Sequence, residues 1–293
     1  MNKSALAAFI DTHGLPRSYQ TKAEKWFVPM VAQLTSEQSH AAHPLIIGIN
    51  GVQGSGKSTL AALMVTLLAQ RQLKAVALSL DDFYYTRAQR LLLADKIHPL
   101  LQTRGVPGTH DIALAVDVLK MLQYQQKEVA IPRFDKTQDD RYPESKWDKV
   151  SDIDVVIIEG WCLGALAQDE AALRQAVNSL EREQDEGGKW RSYVNQRLAI
   201  NYPALFNLID RWVMLKAPSF DCVFEWRQQH EQHLRQQTKL GTAHQLMDDE
   251  QLGIFIQHYQ RITEQMLIDL PTRVDYLFEL DRHRAIKHAV LRC

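Results

Sequence analysis

Cysteine is scarce, with only Cys162, Cys222 and Cys293 in 293 residues. Three widely spaced cysteines make neither a disulfide framework nor a cysteine-based zinc site, and they suit free thiols in a reducing, cytosolic compartment. An excess of charge is missing too, since Lys plus Arg total 34 against 35 for Asp plus Glu. Such a chain has no global field to collect nucleic acid or an anionic membrane, so any phosphate binding has to be local. Long apolar runs are absent, and the brief apolar patch of MNKSALAAFIDTHG is broken by Asp11. Neither a membrane span nor a signal segment is expected. Repeats and low-complexity tracts are also lacking. What remains is an ordinary globular composition, 45% apolar and 24% charged, long enough for a full core. The expected division is a helical extension over residues 1–40 and one α/β domain over 41–293.

The stretch from Leu45 to Thr59, LIIGINGVQGSGKST, organises the chain. Its β-branched start favours a buried strand, its glycines a tight loop, and Leu60, Leu63, Met64, Leu67 and Leu68 follow at helical spacing. Gly51, Gly56, Lys57 and Ser58 fit G-x-x-x-x-G-K-[ST]. In that pattern glycines such as Gly51, Gly54 and Gly56 let bare N–H groups wrap phosphate oxygens. Lys57 reaches the β- and γ-phosphates, and the Ser58 hydroxyl can ligate Mg²⁺. Ser55 and Thr59 complete the expected phosphate contacts. The predicted cofactors are ATP and Mg²⁺.

Ahead of this strand, Trp26, Phe27, Met30, Val31 and Leu34 form an apolar stripe in which Pro29 is expected to kink or shorten a helix. After it, AVALSL (75–80) predicts a second strand, parallel to the first and delivering Asp81 and Asp82 to the same rim. RGVPGTHD (104–111) reads as a loop closed by Asp111 as helix N-cap. A strand at 128–131 leads into PRFDKTQDDRYP (132–143), the expected second wall of a substrate site. IDVVII (153–158) ends in Glu159, where a carboxylate that orders Mg²⁺ is usually found. Helices are expected at about 169–181 and 192–209, with EREQDEGGKWR between them as a surface loop, then strands at 211–216 and 274–280 around a helix at 248–269. The polar stretch 220–239 suggests a closing lid, with Arg227 and Arg235 meeting phosphoryl charge.

Assembled, these pieces resemble the P-loop small-molecule kinases that include uridine kinase, phosphoribulokinase and pantothenate kinase, and within them the D-glycerate 3-kinase family. The resemblance rests on GVQGSGKST (51–59), SLDDFY (79–84), RGVPGTHD, PRFDK (132–136), VIIEGW (156–161), VNQRL (194–198) with Tyr202, EWRQQHE (225–231) and MDDEQLGIFIQHY (247–259). It implies a doubly wound parallel sheet with helices on both faces and transfer of the ATP γ-phosphoryl to a hydroxyl. By similarity Asp81 is the base, with Lys57 and Arg104 beside it in the chemistry. Arg104 and Arg133 are the candidates to grip an acceptor carboxylate, and Asp82, Tyr84, His110 and Asp135 the further acceptor contacts. D-glycerate is the first acceptor implied. Pantothenate, a nucleoside or another hydroxy acid are the alternatives, and an ATP-binding regulatory module without acceptor is the reading from another class.

Overall fold

The computed structural model describes residues 3–124, 126–237 and 249–292, the side chains of residues 3, 4 and 230–237 excepted. Strand β1 (Leu45–Gly51) is buried along its whole length, as a continuously apolar segment must be when both faces and both edges are covered. Further strands are β2 (Ala75–Ser79), β3 (Val155–Gly160), β4 (Arg211–Lys216), β5 (Tyr276–Leu280) and β6 (Ile286–Leu291). They form one sheet in the order β6-β5-β4-β1-β3-β2. Every pairing is parallel except that of β6 with β5. This is the doubly wound α/β sheet that the resemblance implied, with helices on both faces.

Register fixes what stands at the rim. Glu159 lies opposite Ile49 of β1 on one side and Ser79 of β2 on the other. The glycine loop after β1, the acid pair after β2 and the carboxylate ending β3 therefore emerge together, where ligands bind in open parallel sheets.

One face of the sheet is covered by the helix Lys57–Ala69 through Leu60, Leu63, Met64, Leu67 and Leu68. The N-terminal helices Lys3–Thr12 and Val28–Gln38 join that same core through Leu6, Phe9, Met30 and Leu34. The Phe27 ring meets Phe278 of β5 edge-on at 5.3 Å. The other face packs the helices Ile112–Gln123, Lys189–Ile200 and Asp249–Asp269. None of the helices described is long and apolar enough to cross a membrane.

Several local expectations change. Pro29 does not break the stripe: a single π-helical turn (Ala23–Phe27) precedes it, and Pro29 then falls in the first turn of Val28–Gln38, where its missing N–H costs nothing. The helix expected at 169–181 is two short ones, Glu170–Arg174 and Ser179–Gln184, separately capped by Asp169 and Asn178. The helix expected at 192–209 divides at Asn201 because Pro203 starts a new helix, Tyr202–Phe206. EREQDEGGKWR is not a surface loop throughout. Glu181 (1% exposed) holds Arg261 at 2.6 Å, and Asp185 (2%) holds Arg191 at 3.0 Å. Buried charges persist when paired and hydrogen-bonded, which composition does not reveal. β6 has no counterpart among the expected strands: IKHAVL is a half-exposed antiparallel edge whose apolar residues are interrupted by Lys287 and His288.

Candidate active site

On the phosphate side, Gly54 (φ +78°) and Gly56 (φ +93°) hold left-handed backbone that a side chain would strain. Gly56 caps the helix Lys57–Ala69 with no side-chain hydrogen bond, so the first N–H groups of that helix are left to an anion. The Ser58 hydroxyl donates to Glu159 Oε1 at 2.8 Å, and Lys57 Nζ stands 3.8 Å from Glu159 Oε2. Glu159 is 7% exposed. Its Oε2 and the hydroxyl of Ser55 are buried without a hydrogen bond, and buried oxygens in that state are normally completed by a ligand. Hydroxyl, carboxylate and orphaned oxygens together suit Mg²⁺ and phosphate. Among the described residues there is no cluster of three or more His, Cys, Asp and Glu for another kind of metal site.

The acid pair does not continue β2 as an extended strand. Ser79 Oγ accepts from the Asp81 N–H and turns the chain into a 3₁₀ segment, Leu80–Phe83, because a short polar side chain offers the backbone a competing bond. The two carboxylates still diverge. Asp81 accepts from Tyr84 Oη and Lys136 Nζ, both at 2.8 Å. Asp82 accepts from Phe134 N–H at 3.1 Å and Arg133 Nη1 at 3.2 Å. Burial pushes Asp81 up, yet Lys136, Lys57 and the Tyr84 hydroxyl outweigh it and hold the carboxyl below its ordinary range. Asp82 is raised, because burial there exceeds the pull of Phe134 N–H and Arg133. Asp81 is thus a firm carboxylate at neutral pH with the charge of Lys57 acting on it.

Tyr84 stacks on His110 with ring centroids 4.6 Å apart. His110 Nδ1 meets Tyr202 Oη at 2.6 Å, while Nε2 is buried with no hydrogen bond. Burial lowers this histidine from 6.5 to about 4. Arg104 pairs with the Asp139 carboxylate and stands 5.4 Å from the centre of the Phe134 ring. Arg133 reaches Asp148 as well as Asp82. Asp135 turns away and accepts from Thr137 N–H and Oγ1 and Gln138 N–H. Of the expected site residues, the structure brings Lys57, Ser58 and Glu159 together, groups Asp81, Tyr84 and His110 beside them, and leaves Asp135 at the end of the short strand Phe134–Asp135, bonded to the turn that follows.

The loop behind Arg104 is braced by residues that sequence pattern does not single out. Trp161 Nε1 donates to Gly105 O at 2.8 Å, and Tyr259 Oη donates to Arg104 O at 3.3 Å. Gly105 lies at φ +136°, and a Cβ there would run into the Tyr259 ring and hydroxyl. Tyr259 is the last residue of MDDEQLGIFIQHY and Lys136 the last of PRFDK. Both sit inside recognisable motifs, but only contacts reveal what each touches. From the helix Asp221–Gln237, Arg227 acts electrostatically on Tyr259. The Arg235 side chain lies outside the described residues, and Trp226 of the same helix packs beneath Gly54.

A sheet of this order, a phosphate loop after its central strand and a carboxylate ending the neighbouring one define a P-loop kinase fold. The phosphoribulokinase/uridine kinase family matches residues 46–178. An uncharacterized kinase of Schizosaccharomyces pombe, mug58, is 37% identical over 77% of this chain and 82% of its own length. The chloroplastic D-glycerate 3-kinase of Arabidopsis thaliana is 32% identical over 74% of this chain, which spans 46% of that longer protein. The structure of D-glycerate 3-kinase from Cryptococcus neoformans superposes with a TM-score of 0.75 at 26% identity, over 90% of this chain and 97% of that one. The chain belongs to the phosphoribulokinase/uridine kinase family and, within it, to the D-glycerate 3-kinase family. It is an ATP-dependent kinase acting on a small molecule.

Proposed function

We propose that the protein transfers the γ-phosphoryl of ATP to the 3-hydroxyl of D-glycerate. The observation that carries this reading is the meeting of Asp81 and Lys57 at one rim, a firm carboxylate beside the cation of a phosphate loop. Phosphoryl transfer leaves the protein mainly positioning and charge stabilisation. The loop N–H groups and the helix N-terminus hold the phosphates, and Lys57 follows the charge on the transferring oxygens. Ser58 and Glu159 are the residues that would hold Mg²⁺, which when bound would supply positive charge against the phosphates of the nucleotide.

Asp81 orients the acceptor hydroxyl and takes its proton on the carboxylate. Tyr84, donating to Asp81, keeps that group in place. Arg104 and Arg133 are the forks for the glycerate carboxylate, and each now rests on an acid of this chain, Asp139 or Asp82 and Asp148, that the acceptor carboxylate displaces. Arg227, on the helix Asp221–Gln237, is the cation that would meet the transferred phosphoryl charge. Membership of the glycerate kinase family supports D-glycerate over other acceptors. An acceptor panel read by ADP release, with the product analysed for phosphate on the 3-hydroxyl, tests this. Turnover of pantothenate or a nucleoside in preference to glycerate would overturn the substrate alone. ATP binding with no acceptor-dependent turnover at all would leave a nucleotide-binding module.

A further inference from the structure

The phosphate loop is open on two sides. One faces Asp81 and the acceptor loops. On the other, Gly54, Ser55, Gly56 and Thr59 floor a cavity of about 780 Å³, within the range of pockets that take small organic ligands, about 300–1,000 Å³. A triphosphate is a linear chain, so with its γ end toward Asp81 its nucleoside end has to leave the loop on this second side.

The walls of the cavity come from the two ends of the chain. The N-terminal extension supplies Tyr19 and Trp26, both half-buried, the turn between β5 and β6 supplies Arg284, and the start of β6 supplies Ile286. These parts are tied to one another and to the loop. Lys22 Nζ donates to Arg284 O at 2.9 Å, and Arg284 Nε donates to Gly54 O at 2.7 Å. The Arg284 guanidinium lies 4.9 Å from the centre of the Trp226 ring, and Trp226 itself supports Gly54. Arg284 holds a left-handed φ of +63°, which a non-glycine residue keeps only where its surroundings impose it. Lys25 Nζ stands 4.5 Å from the centre of the Trp26 ring, adding positive charge to the mouth.

We propose that this cavity receives the nucleoside of ATP, with the N-terminal extension as its outer wall and Trp26 and Tyr19 as the aromatic surfaces against which the base packs. Arg284 keeps pocket and phosphate loop in one register. The proposal rests on the ATP-kinase reading and gives the extension a part in nucleotide recognition beyond packing on the sheet.

Calorimetric binding of ADP and of inorganic tripolyphosphate separates base from phosphate recognition. Base stacking on an aromatic side chain is worth about tenfold or more in affinity, so Trp26→Ala and Tyr19→Ala should each weaken ADP by about tenfold and leave tripolyphosphate unchanged. Trp26→Phe, which keeps an aromatic wall, should stay close to the wild type. Unchanged ADP affinity in both alanine variants overturns the proposal. A parallel loss of ADP and tripolyphosphate in both also overturns it, because the extension would then act on the loop and not on the base. Lys57→Met is the separate arm: it should weaken tripolyphosphate, and undiminished binding there would overturn the phosphate-loop reading itself.

Discussion

On the phosphate side of the rim, Gly51 to Thr59 are nine consecutive residues, and what they offer is mostly backbone N–H, fixed by a strand on one side and a helix on the other. On the acceptor side, Asp81, Arg104, His110, Arg133 and Tyr259 come from four separate segments, and side-chain contacts join them. Several of those contacts are ion pairs open to solvent, such as Lys136 with Asp81, where the lysine side chain is 62% exposed. An exposed pair is worth about 0–1 kcal/mol, so this half can exchange partners when an acceptor arrives. The phosphate half cannot rearrange without moving the sheet. A rigid cradle facing an adaptable wall suits an enzyme that binds one fixed nucleotide and closes on a small acceptor.

The largest expected effect tests the rigid half. Lys57→Met keeps the stem and deletes the charge, and losing such a contact costs about 3–4 kcal/mol, so turnover should fall at least about a hundredfold with the fold intact by circular dichroism. Next, Asp81→Asn should bind ATP as the wild type does, yet lose about a hundredfold in acceptor-dependent turnover. Asp82→Asn, whose partners are Phe134 N–H and Arg133, should be milder. If the two aspartate variants were equally impaired, the division of roles between them would be wrong.

Stability against pH sharpens the contrast on the acceptor side. His110 is held at about 4 in the folded protein against 6.5 for a free histidine, so the unfolded chain binds the extra proton first as pH falls. Its contribution is complete above pH 6.5, declines between 6.5 and about 4, and amounts to about 3 kcal/mol at most. Replacing His110 by Gln should flatten that part of the acid limb in thermal melts, and an unchanged limb would place the acid sensitivity elsewhere.

Two smaller effects follow. Glu159→Gln should raise the Mg²⁺ needed for half-maximal activity by about tenfold while leaving the melting temperature near the wild type. Lys136→Gln removes a charge that holds Asp81 down, so the Asp81 carboxyl should rise. The acid limb of kcat/KM should then move to higher pH, with little change near neutrality, and an unmoved limb would deny Asp81 the role of base.

Much of the nucleotide half is legible in the amino-acid sequence. A phosphate loop is a local object, and Gly51, Gly56, Lys57 and Ser58 carry their chemistry in spacing alone. The sheet is legible for a similar reason, since strands buried on both faces must be nearly continuous apolar runs, as β1 and β3 are. Glu159 follows from its place at the end of such a run. Less is legible where polar residues are buried. Glu181, Asp185 and Arg191 read as surface because composition does not report pairing, and β6 escapes notice because Lys287 and His288 break its short apolar run and neither face is fully buried.

The strand, loop and helix of the phosphate cradle, the apolar runs that become the central strands and the residue types that follow them are written in local sequence, because each depends on neighbours within a few positions. Packing of the whole chain settles the rest: Asp81 faces Lys136 and Tyr84 while Asp82 faces Arg133, Tyr259 and Trp161 fix the Arg104 loop, and Tyr19, Trp26 and Arg284 meet beside Gly54. Most of those partners lie tens to hundreds of residues apart, and their meeting is set by how the core assembles, not by any pattern that a short window contains.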